Sequence, residues 1–551
     1  MKKTLLLALF SILASNFVAA QTFYDAPEFN RQDTLRGSIT PERAWWDLTY
    51  YHLDVAVDIA DSSISGKNLV QYRVLEPHQR MQIDLQPPLS VSKITQNGEE
   101  LGFERDGNAW FVSLSEEQVT DEVNELVVYY SGKPKVAVRP PWDGGFTWQE
   151  DSNGKPFVAT SNQGIGASIW WPNKDHPYDE VDSMLISVNV PDSLMDVSNG
   201  RLRGVDEHEN GTKTFHWFVS NPINNYGVNI NIGDYVHFSE EYMGEKGTLD
   251  LDYYVLRENL EKAKEQFQQV IPMMEAFEYW FGPYPFYEDG FKLVEAPYLG
   301  MEHQSSVTYG NEYQNGYLGR DLSGSGWGLE FDFIIIHESA HEWFANNITY
   351  KDAADMWVHE GFTNYAENLY LDYLHGEKAS SEYVLGTRIG IQNDRPIVGI
   401  YDVDHRGSGD MYSKGGNFLH TLRQVADDDS LWRETLRGLN KEFYHQTVTT
   451  AQIEAYISTK LGRDLDSVFD QYVRDIRIPT LNYSFRDGNL MYRWGNTVDG
   501  FNLHVDVSVN GKEIRLQATT RWQQLSLENA DSYKLVVDPD YYVGSFNLLG
   551  K

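Results

Sequence analysis

Short runs of alternating apolar and polar residues dominate the chain between residues 44 and 243. In the clearest run, every second position is apolar, at Leu53, Val55, Val57 and Ile59. Gly, Pro, Asn and Asp separate this run from similar ones. A period of two is typical of strands that bury one face. We therefore predict a large antiparallel β domain over 44–243, preceded by a short polar lead over 21–43.

The apolar residues adopt a helical spacing after about residue 257. The first of them are Leu260, Ala263, Phe267 and Val270, and a kink is expected at Pro272. Helical signals continue to Pro479, after which alternation returns at Leu481, Tyr483 and Phe485. The pattern predicts a multidomain α+β protein, with a mostly helical domain over 244–478 and a small β-sandwich over 479–551.

The first 20 residues have the composition of a signal peptide. They begin with Lys2 and Lys3, continue through a mostly apolar stretch over 4–17, and end in Val18-Ala19-Ala20. A retained membrane anchor is the alternative, but Ser and Asn interrupt the apolar run, and no other segment approaches the roughly 20 residues needed to span a bilayer. We expect export, to the periplasm or the medium, without integral membrane association.

The net charge and the absence of Cys limit the kinds of molecule that this protein is expected to bind and the ways in which it can be stabilised. The formal charge of −36 argues against binding to nucleic acid or to anionic membranes. The sequence contains no Cys, so an exported form would depend on packed cores and not on disulfides. Neither observation indicates an oligomeric state.

The most informative motif is His337-Glu338-Ser339-Ala340-His341. On a helix, residues i and i+4 lie on one face, so both imidazoles can bind one metal ion. Glu338 then lies about 100° around the helix from His337, within reach of a water at the metal, where it can act as a general base. No Gly or Pro interrupts residues 329–348, and we expect a continuous helix there.

A third metal ligand follows nineteen residues after His341, at Glu360. Two His and one Glu form a typical catalytic zinc site, with one tetrahedral position open. A turn at 351–355 separates the motif from a second helix of about 20 residues that could bring Glu360 to the metal. Glu367 would lie on the same helical face, where it could orient a ligand by hydrogen bonding to it.

These residues resemble the aminopeptidase N family of zinc metallopeptidases, the gluzincins, which include relatives of the leukotriene hydrolase. The family signature is His-Glu-x-x-His, eighteen intervening residues and Glu, and the spacing here is the same. Further matches are Trp343, Asn346, Trp357, Gly361 and Glu367. The resemblance implies one zinc ion, a thermolysin-like catalytic domain, and supporting roles for Asn346 and Glu367. It also implies a shortened member, without the helical domain that follows in larger relatives.

Three further elements resemble family motifs. Glu302, in Leu299-Gly300-Met301-Glu302-His303, matches the family residue that binds the free amino group of the substrate. The other loop positions differ from the family's Gly-Ala-Met-Glu-Asn, so the preferred side chain cannot be transferred. Gln163 matches a second amine contact, although read alone it could be an ordinary polar loop residue. Tyr412, in Tyr-x-Lys-Gly, matches the phenol that stabilises the oxyanion.

The resemblance therefore implies an aminopeptidase that acts on peptides with a free N-terminus. Glu338 would be the general base and Tyr412 the oxyanion stabiliser. Two alternatives remain open: an endopeptidase or epoxide hydrolase with the same zinc site, and an inactive peptide-binding protein.

Overall fold

A computed structural model describes residues 27–527 and 532–549 of the 551-residue chain. The predicted signal peptide at 1–20 lies outside the described residues. From Arg31 onward, the chain belongs to one compact unit. The helices of the described ranges do not include one that is both long and apolar enough to cross a membrane.

The end of the polar lead is folded, as helices α1 (Arg31–Gly37) and α2 (Pro41–Ala44). Arg43, which is fully buried, connects this lead to the β domain through a 2.6 Å ion pair with Asp84. Its guanidinium also donates to the carbonyl oxygens of Leu35, Arg36 and Ser38. These bonds compensate for burial of the charge and hold α1 against the sheet.

The predicted N-terminal β domain is confirmed. Its strands are β1 (Trp46–Asp58), β2 (Ser63–Val74), β3 (Arg80–Asp84), β4 (Ser90–Gln96), β5 (Glu99–Glu100), β6 (Gly102–Asp106), β7 (Ala109–Ser113), β8 (Val123–Gly132), β9 (Gly145–Glu150), β10 (Pro156–Ser161), β11 (Ser183–Pro191), β12 (Met195–Ser198), β13 (Arg201–His208), β14 (Thr212–Val219) and β15 (Ile230–Gly233).

These strands form three sheets, whose orders are β13-β14-β11-β1-β2-β8-β4-β5, β12-β15-β10-β9 and β3-β7-β6. The pairing is antiparallel except between β1 and β11, which run parallel. Alternate residues of β1 are buried, as the period-two pattern predicted. One hydrophobic cluster, drawn from residues 45–256 together with Val294, fills the space between the sheets.

A mixed sheet leads into the helical region, in the order β16-β17-β18-β20-β19. Its strands are β16 (Tyr235–Gly244), β17 (Gly247–Leu256), β18 (Phe291–Glu295), β19 (Gly300–Met301) and β20 (Val307–Tyr309). The predicted domain boundary at 243/244 falls at the β16–β17 hairpin, which pairs with β18 of the helical region. The domain boundaries themselves stay predictions.

Helices dominate the next region, as predicted. They are α3 (Leu260–Gln266), α4 (Val270–Phe281), α5 (Phe333–Ala340), α6 (Trp357–His375), α7 (Glu377–Thr387), α8 (Ser413–Ala426), α9 (Asp429–Glu442), α10 (Thr450–Leu461) and α11 (Asp466–Val473). Two short strands, β21 (Ile348–Tyr350) and β22 (Gln446–Val448), pair in parallel beside them.

One detail of the helical prediction was wrong, and another can be described more closely. At the expected kink, a 3₁₀ turn over Phe267–Gln269 separates α3 from α4, and Pro272 lies in the first turn of α4, where its missing N–H has no intrahelical partner to lose. The metal-motif helix does not continue to residue 348, since α5 ends at Ala340. The chain then makes a π-type turn over Glu342–Asn347, in which Asn346 N donates to His341 O at 3.0 Å, before it enters β21.

The C-terminal strands form two small sheets, β27-β24-β23-β29 and β26-β25-β28. They are β23 (Thr480–Arg486), β24 (Asn489–Gly495), β25 (Val505–Val509), β26 (Lys512–Leu516), β27 (Gln523–Ser526), β28 (Leu535–Val537) and β29 (Gly544–Asn547). Their apolar residues belong to the same hydrophobic cluster as those of the helices, so these strands pack against the helical region.

Candidate metal and substrate site

Two adjacent helices bring the predicted metal ligands together. His337 lies in α5, His341 directly follows the end of that helix, and Glu360 lies in the first turn of α6. Glu360 Oε2 lies 3.8 Å from His337 Nε2 and 3.4 Å from His341 Nε2. The ligand atoms of all three lie within 4.8 Å of one another.

Hydrogen bonds orient both imidazoles toward this cluster. His337 Nδ1 lies 2.7 Å from Glu367 Oε1, and His341 Nδ1 lies 3.0 Å from Phe344 O. The π-type turn after α5 is what brings the Phe344 carbonyl back to His341. Because each Nδ1 is engaged, each Nε2 is left to bind a cation. Glu367 is itself held, since Tyr383 donates to its second oxygen at 2.5 Å.

The cluster fits a zinc ion. Glu360 Oε2 is buried and has no hydrogen-bond partner among the described residues, although it faces two imidazole nitrogens. A buried carboxylate oxygen without a partner is costly, and a cation removes that cost. Two imidazoles and a carboxylate are the donor types that zinc prefers in catalytic sites.

Three carboxylates, those of Glu302, Glu338 and Glu360, lie close together in this small volume. The candidate ligand atoms of Glu302, Glu338 and His341 lie within 4.8 Å of one another. Burial raises the pKa of Glu302 and of Glu338, and the Glu360 carboxylate adds to the rise in both. Positive charge, whether from a metal or from a substrate ammonium, would therefore be strongly favoured here.

Gln163 connects the β domain to this cluster. Its Nε2 donates to Glu302 Oε1 at 2.7 Å and to Glu360 Oε1 at 2.8 Å. The backbone of Glu302 is fixed from the other side, because Asn346 Nδ2 donates to Glu302 O at 2.9 Å. The structure thus places both Gln163 and Asn346 in contact with Glu302.

Tyr412 completes the predicted set. It immediately precedes α8, and its ring is stacked with that of His337 at a centroid distance of 6.0 Å. Close packing of α8 on α6 allows this, since a Cβ on Gly415 would lie only 2.8 Å from the Cα of Gly361. Desolvation and the nearby carboxylates keep the pKa of Tyr412 well above its usual value, so its hydroxyl remains a hydrogen-bond donor.

These side chains line one cavity of about 130 Å³. Its lining is Pro141, Trp142, Gln163, Gly300, Met301, Glu302, His337, Glu338, His341, Glu360, Arg406 and Tyr412. Sequence reasoning missed Trp142 and Arg406. Each lies in a polar, Gly-containing segment without a motif, and only the fold brings them to the metal cluster. The sequence offers only that Trp142 follows Pro140-Pro141, which does not by itself indicate a site.

Comparisons with known proteins agree with this arrangement. Residues 265–472 match the peptidase family M1 domain, and residues 48–226 match the peptidase M1 N-terminal domain. Human aminopeptidase B is 24% identical over 449 residues, which are 73% of this chain and 64% of that protein. Leukotriene A-4 hydrolase of Xenopus laevis is 22% identical over 443 residues, 76% of this chain and 68% of that protein.

Among solved structures, an M1 zinc metallopeptidase from Deinococcus radiodurans has a TM-score of 0.65 and 22% identity, covering 76% of this chain and 90% of that one. At this identity the similarity shows the fold. The chain spans less than two thirds of the length of human aminopeptidase B. The N-terminal domain model and the peptidase domain model match in that order along the chain, and the second match contains the His-Glu-x-x-His motif. The chain therefore belongs to the M1 family of peptidases.

Proposed function

We propose that this protein is a zinc-dependent aminopeptidase that removes N-terminal residues from peptides. The main support for this proposal is that Glu302 lies beside the metal ligands. Gln163 bridges Glu302 and Glu360 with hydrogen bonds of 2.7 and 2.8 Å, so the candidate amine anchor and a metal ligand border one small space. A peptide bond cleaved there would lie next to a free N-terminus.

His337, His341 and Glu360 would hold one zinc ion per chain. When bound, zinc polarises a carbonyl group and lowers the pKa of water toward 7. The protein holds the two imidazole ligands in place by hydrogen bonds. Glu367 is the partner of His337, and the Phe344 carbonyl is the partner of His341. Such supporting contacts typically change metal affinity by about 10- to 100-fold.

Glu338 is the proposed general base. Its carboxylate faces the cavity beside His337 and His341, and burial raises its pKa, which favours proton transfer near neutral pH. Glu338 would accept a proton from the attacking water and later deliver it to the leaving amine. Tyr412 would donate its hydroxyl proton in a hydrogen bond to the oxyanion, which is a contribution of several kcal/mol in comparable sites.

Glu302 gives the reaction its direction. Its carboxylate would accept hydrogen bonds from the substrate ammonium, with the Gln163 amide holding it in place. An internal peptide segment carries no cation to offset the desolvation of this carboxylate. This asymmetry favours exopeptidase over endopeptidase action. Similarity to aminopeptidase B and to a D. radiodurans M1 enzyme crystallised with a Tyr-Ser-Ala substrate supports the choice of substrate class.

The decisive test is hydrolysis of a panel of aminoacyl fluorogenic amides by the purified mature protein. We expect about one zinc per chain by elemental analysis, activity that a chelator abolishes, and recovery when zinc is added back. Glu338→Gln should keep its zinc and lose activity by several orders of magnitude. Zinc-loaded protein that cleaves none of the amides would rule out the proposal.

We also propose that residues 1–20 direct export. The support is the sequence pattern alone: two lysines, an apolar stretch and Val18-Ala19-Ala20. Expression of the full chain, followed by mass spectrometry of the N-terminal peptide of the exported product, should give Gln21 as the first residue. An intact N-terminus on protein that stays in the cytoplasm would contradict export.

A further inference from the structure

A second cavity, of about 300 Å³, lies directly beside the metal and substrate site. The two cavities share Trp142, Gln163 and Arg406. The rest of the lining of the second cavity includes Arg36 and Asp404. We call this second cavity the side pocket.

The shared wall lies at the N-terminal end of the proposed substrate. Gln163 contacts Glu302, the proposed ammonium anchor, at 2.7 Å, and Gln163 also lines the side pocket. In an amino acid whose ammonium is at Glu302 and whose carbonyl is at the metal ligands, the side chain leaves the Cα between them. The side pocket borders that position through its Gln163 wall, so it can receive the first side chain of a peptide.

One positive charge in the side pocket is uncompensated. Arg36 is paired, with Nε 2.8 Å from Asp404 Oδ2 and Nη2 donating to Gly164 O at 2.9 Å. The Arg406 guanidinium is exposed and has no hydrogen bond or ion pair with any residue that the structure describes. It nevertheless lies against the wall of the pocket, because a Cβ built on Gly164 would be 3.7 Å from its Nη1.

The backbone that carries Arg406 is held in place. Ile400 and His405 form a β-bridge, and Ser408 N donates to Pro396 O at 2.8 Å. The segment is also tied to its surroundings, since Asp402 N donates to Asp352 Oδ2 at 3.0 Å and Asp404 is paired with Arg36. Binding of a ligand would therefore have to order only the Arg406 side chain, and not the segment that carries it.

We infer that Arg406 makes this enzyme selective for peptides that begin with an acidic residue, Glu or Asp. This inference rests on the aminopeptidase function proposed above. A guanidinium binds a carboxylate through two parallel N–H···O bonds, and here no protein carboxylate competes for them within the described residues. Trp142, whose side chain is 64% exposed, offers a flat apolar wall for the methylene groups of the substrate.

The test compares kcat/KM for glutamyl and glutaminyl fluorogenic amides, which have nearly the same shape. These substrates carry no C-terminal carboxylate, so a difference reports the side chain. We expect the wild-type enzyme to prefer the glutamyl amide by roughly tenfold, which is about 1.4 kcal/mol. Arg406→Gln should reduce that ratio to about one, and Arg406→Glu should make the enzyme prefer a lysyl amide to the glutamyl amide.

The ratio is measured within each variant, so a loss of folded protein leaves it unchanged. Arg521→Gln is the matched control, because it removes the same charge from an exposed residue that lines neither cavity; its ratio should equal that of the wild type. A wild-type enzyme that cleaves alanyl amide but prefers glutaminyl to glutamyl amide would overturn this inference alone.

A second source of carboxylate is the C-terminus of a dipeptide. If Arg406→Gln lowers the preference for Ala-Ala over Ala-Ala-amide and leaves the glutamyl-to-glutaminyl ratio unchanged, Arg406 binds that terminus and the inference is wrong. If zinc-loaded enzyme cleaves no aminoacyl amide at all, both this inference and the proposed function are wrong.

Discussion

Gly300 lies where the family motif has Ala, and the structure provides a reason for the difference. A Cβ built on Gly300 would lie 2.6 Å from Ile334 Cγ2 and 3.2 Å from Glu338 Cγ. Carbon atoms in contact are normally about 3.5–4.0 Å apart, so roughly 1 Å of movement would be needed. Ile334 and Glu338 are four residues apart on one face of α5, and the new methyl group would push on both.

We therefore expect Gly300→Ala to impair this protein, even though it restores the residue of the family motif. Overpacking of this kind typically costs about 1–3 kcal/mol of stability. A displacement of a few tenths of an ångström at the general base should lower kcat by about tenfold, since roughly 1 Å of misplacement can cost about 100-fold. KM should change less, because Glu302 and Gln163 would stay in place.

The assay combines steady-state kinetics on alanyl amide with thermal unfolding of the zinc-loaded protein. Ile334→Leu removes the β-branch methyl group that causes the closest contact, so the double variant should recover most of the lost kcat. Gly204→Ala is the control, because a Cβ on Gly204 would meet no atom within 4 Å. If Gly300→Ala has the kcat and stability of the wild type, or if the double variant recovers no activity, then close contact with Ile334 is not the reason for a glycine at this position.

Three further predictions concern single side chains. Tyr412→Phe should lower kcat by about 100- to 1,000-fold with little change in KM, because only the oxyanion hydrogen bond is lost; an equal loss in binding of a substrate analogue would contradict that role. Glu367→Gln should weaken zinc binding by about 10- to 100-fold in a chelator competition assay, and unchanged affinity would show that its 2.7 Å contact with His337 does not support the ligand. Arg43→Met should reduce the free energy of unfolding by about 3–5 kcal/mol, because it leaves Asp84 buried without its partner; a loss below about 1 kcal/mol in denaturant titration would contradict the proposed link to the lead.

The sequence predicted the parts of the fold that depend on local pattern. The alternation at Leu53–Ile59 is typical of a half-buried strand, and β1 has that burial pattern. The spacing of His337 and His341 predicted that both imidazoles share one helical face. The turn at 351–355 and the helix after it predicted that Glu360 could reach the same metal. The second helix, expected to be about 20 residues long, has 19.

What the sequence could not predict depends on contacts between distant segments. Helix α5 ends at Ala340, beyond which the Phe344 carbonyl turns back to His341 Nδ1, and no Gly or Pro marks this end in the sequence. The sequence indicated only a short polar lead over 21–43, yet Arg36 of this lead lines the side pocket and forms an ion pair with Asp404. Arg406 and Trp142 are far apart in sequence, and each alone resembles an ordinary surface residue.

We propose that a free substrate ammonium at Glu302 determines which bond is cleaved. The test compares the cleavage of alanyl amide and of N-acetyl-alanyl amide, by the wild type and by Glu302→Gln, with zinc content measured in both. The Glu302→Gln substitution keeps a side-chain oxygen that can accept the hydrogen bond from Gln163, and it removes only the negative charge. We predict that the wild type prefers the free amine by about 100-fold or more, and that Glu302→Gln loses most of that preference while it retains zinc. Equal cleavage of the two substrates by the wild type, or an unchanged preference in Glu302→Gln, would contradict the account.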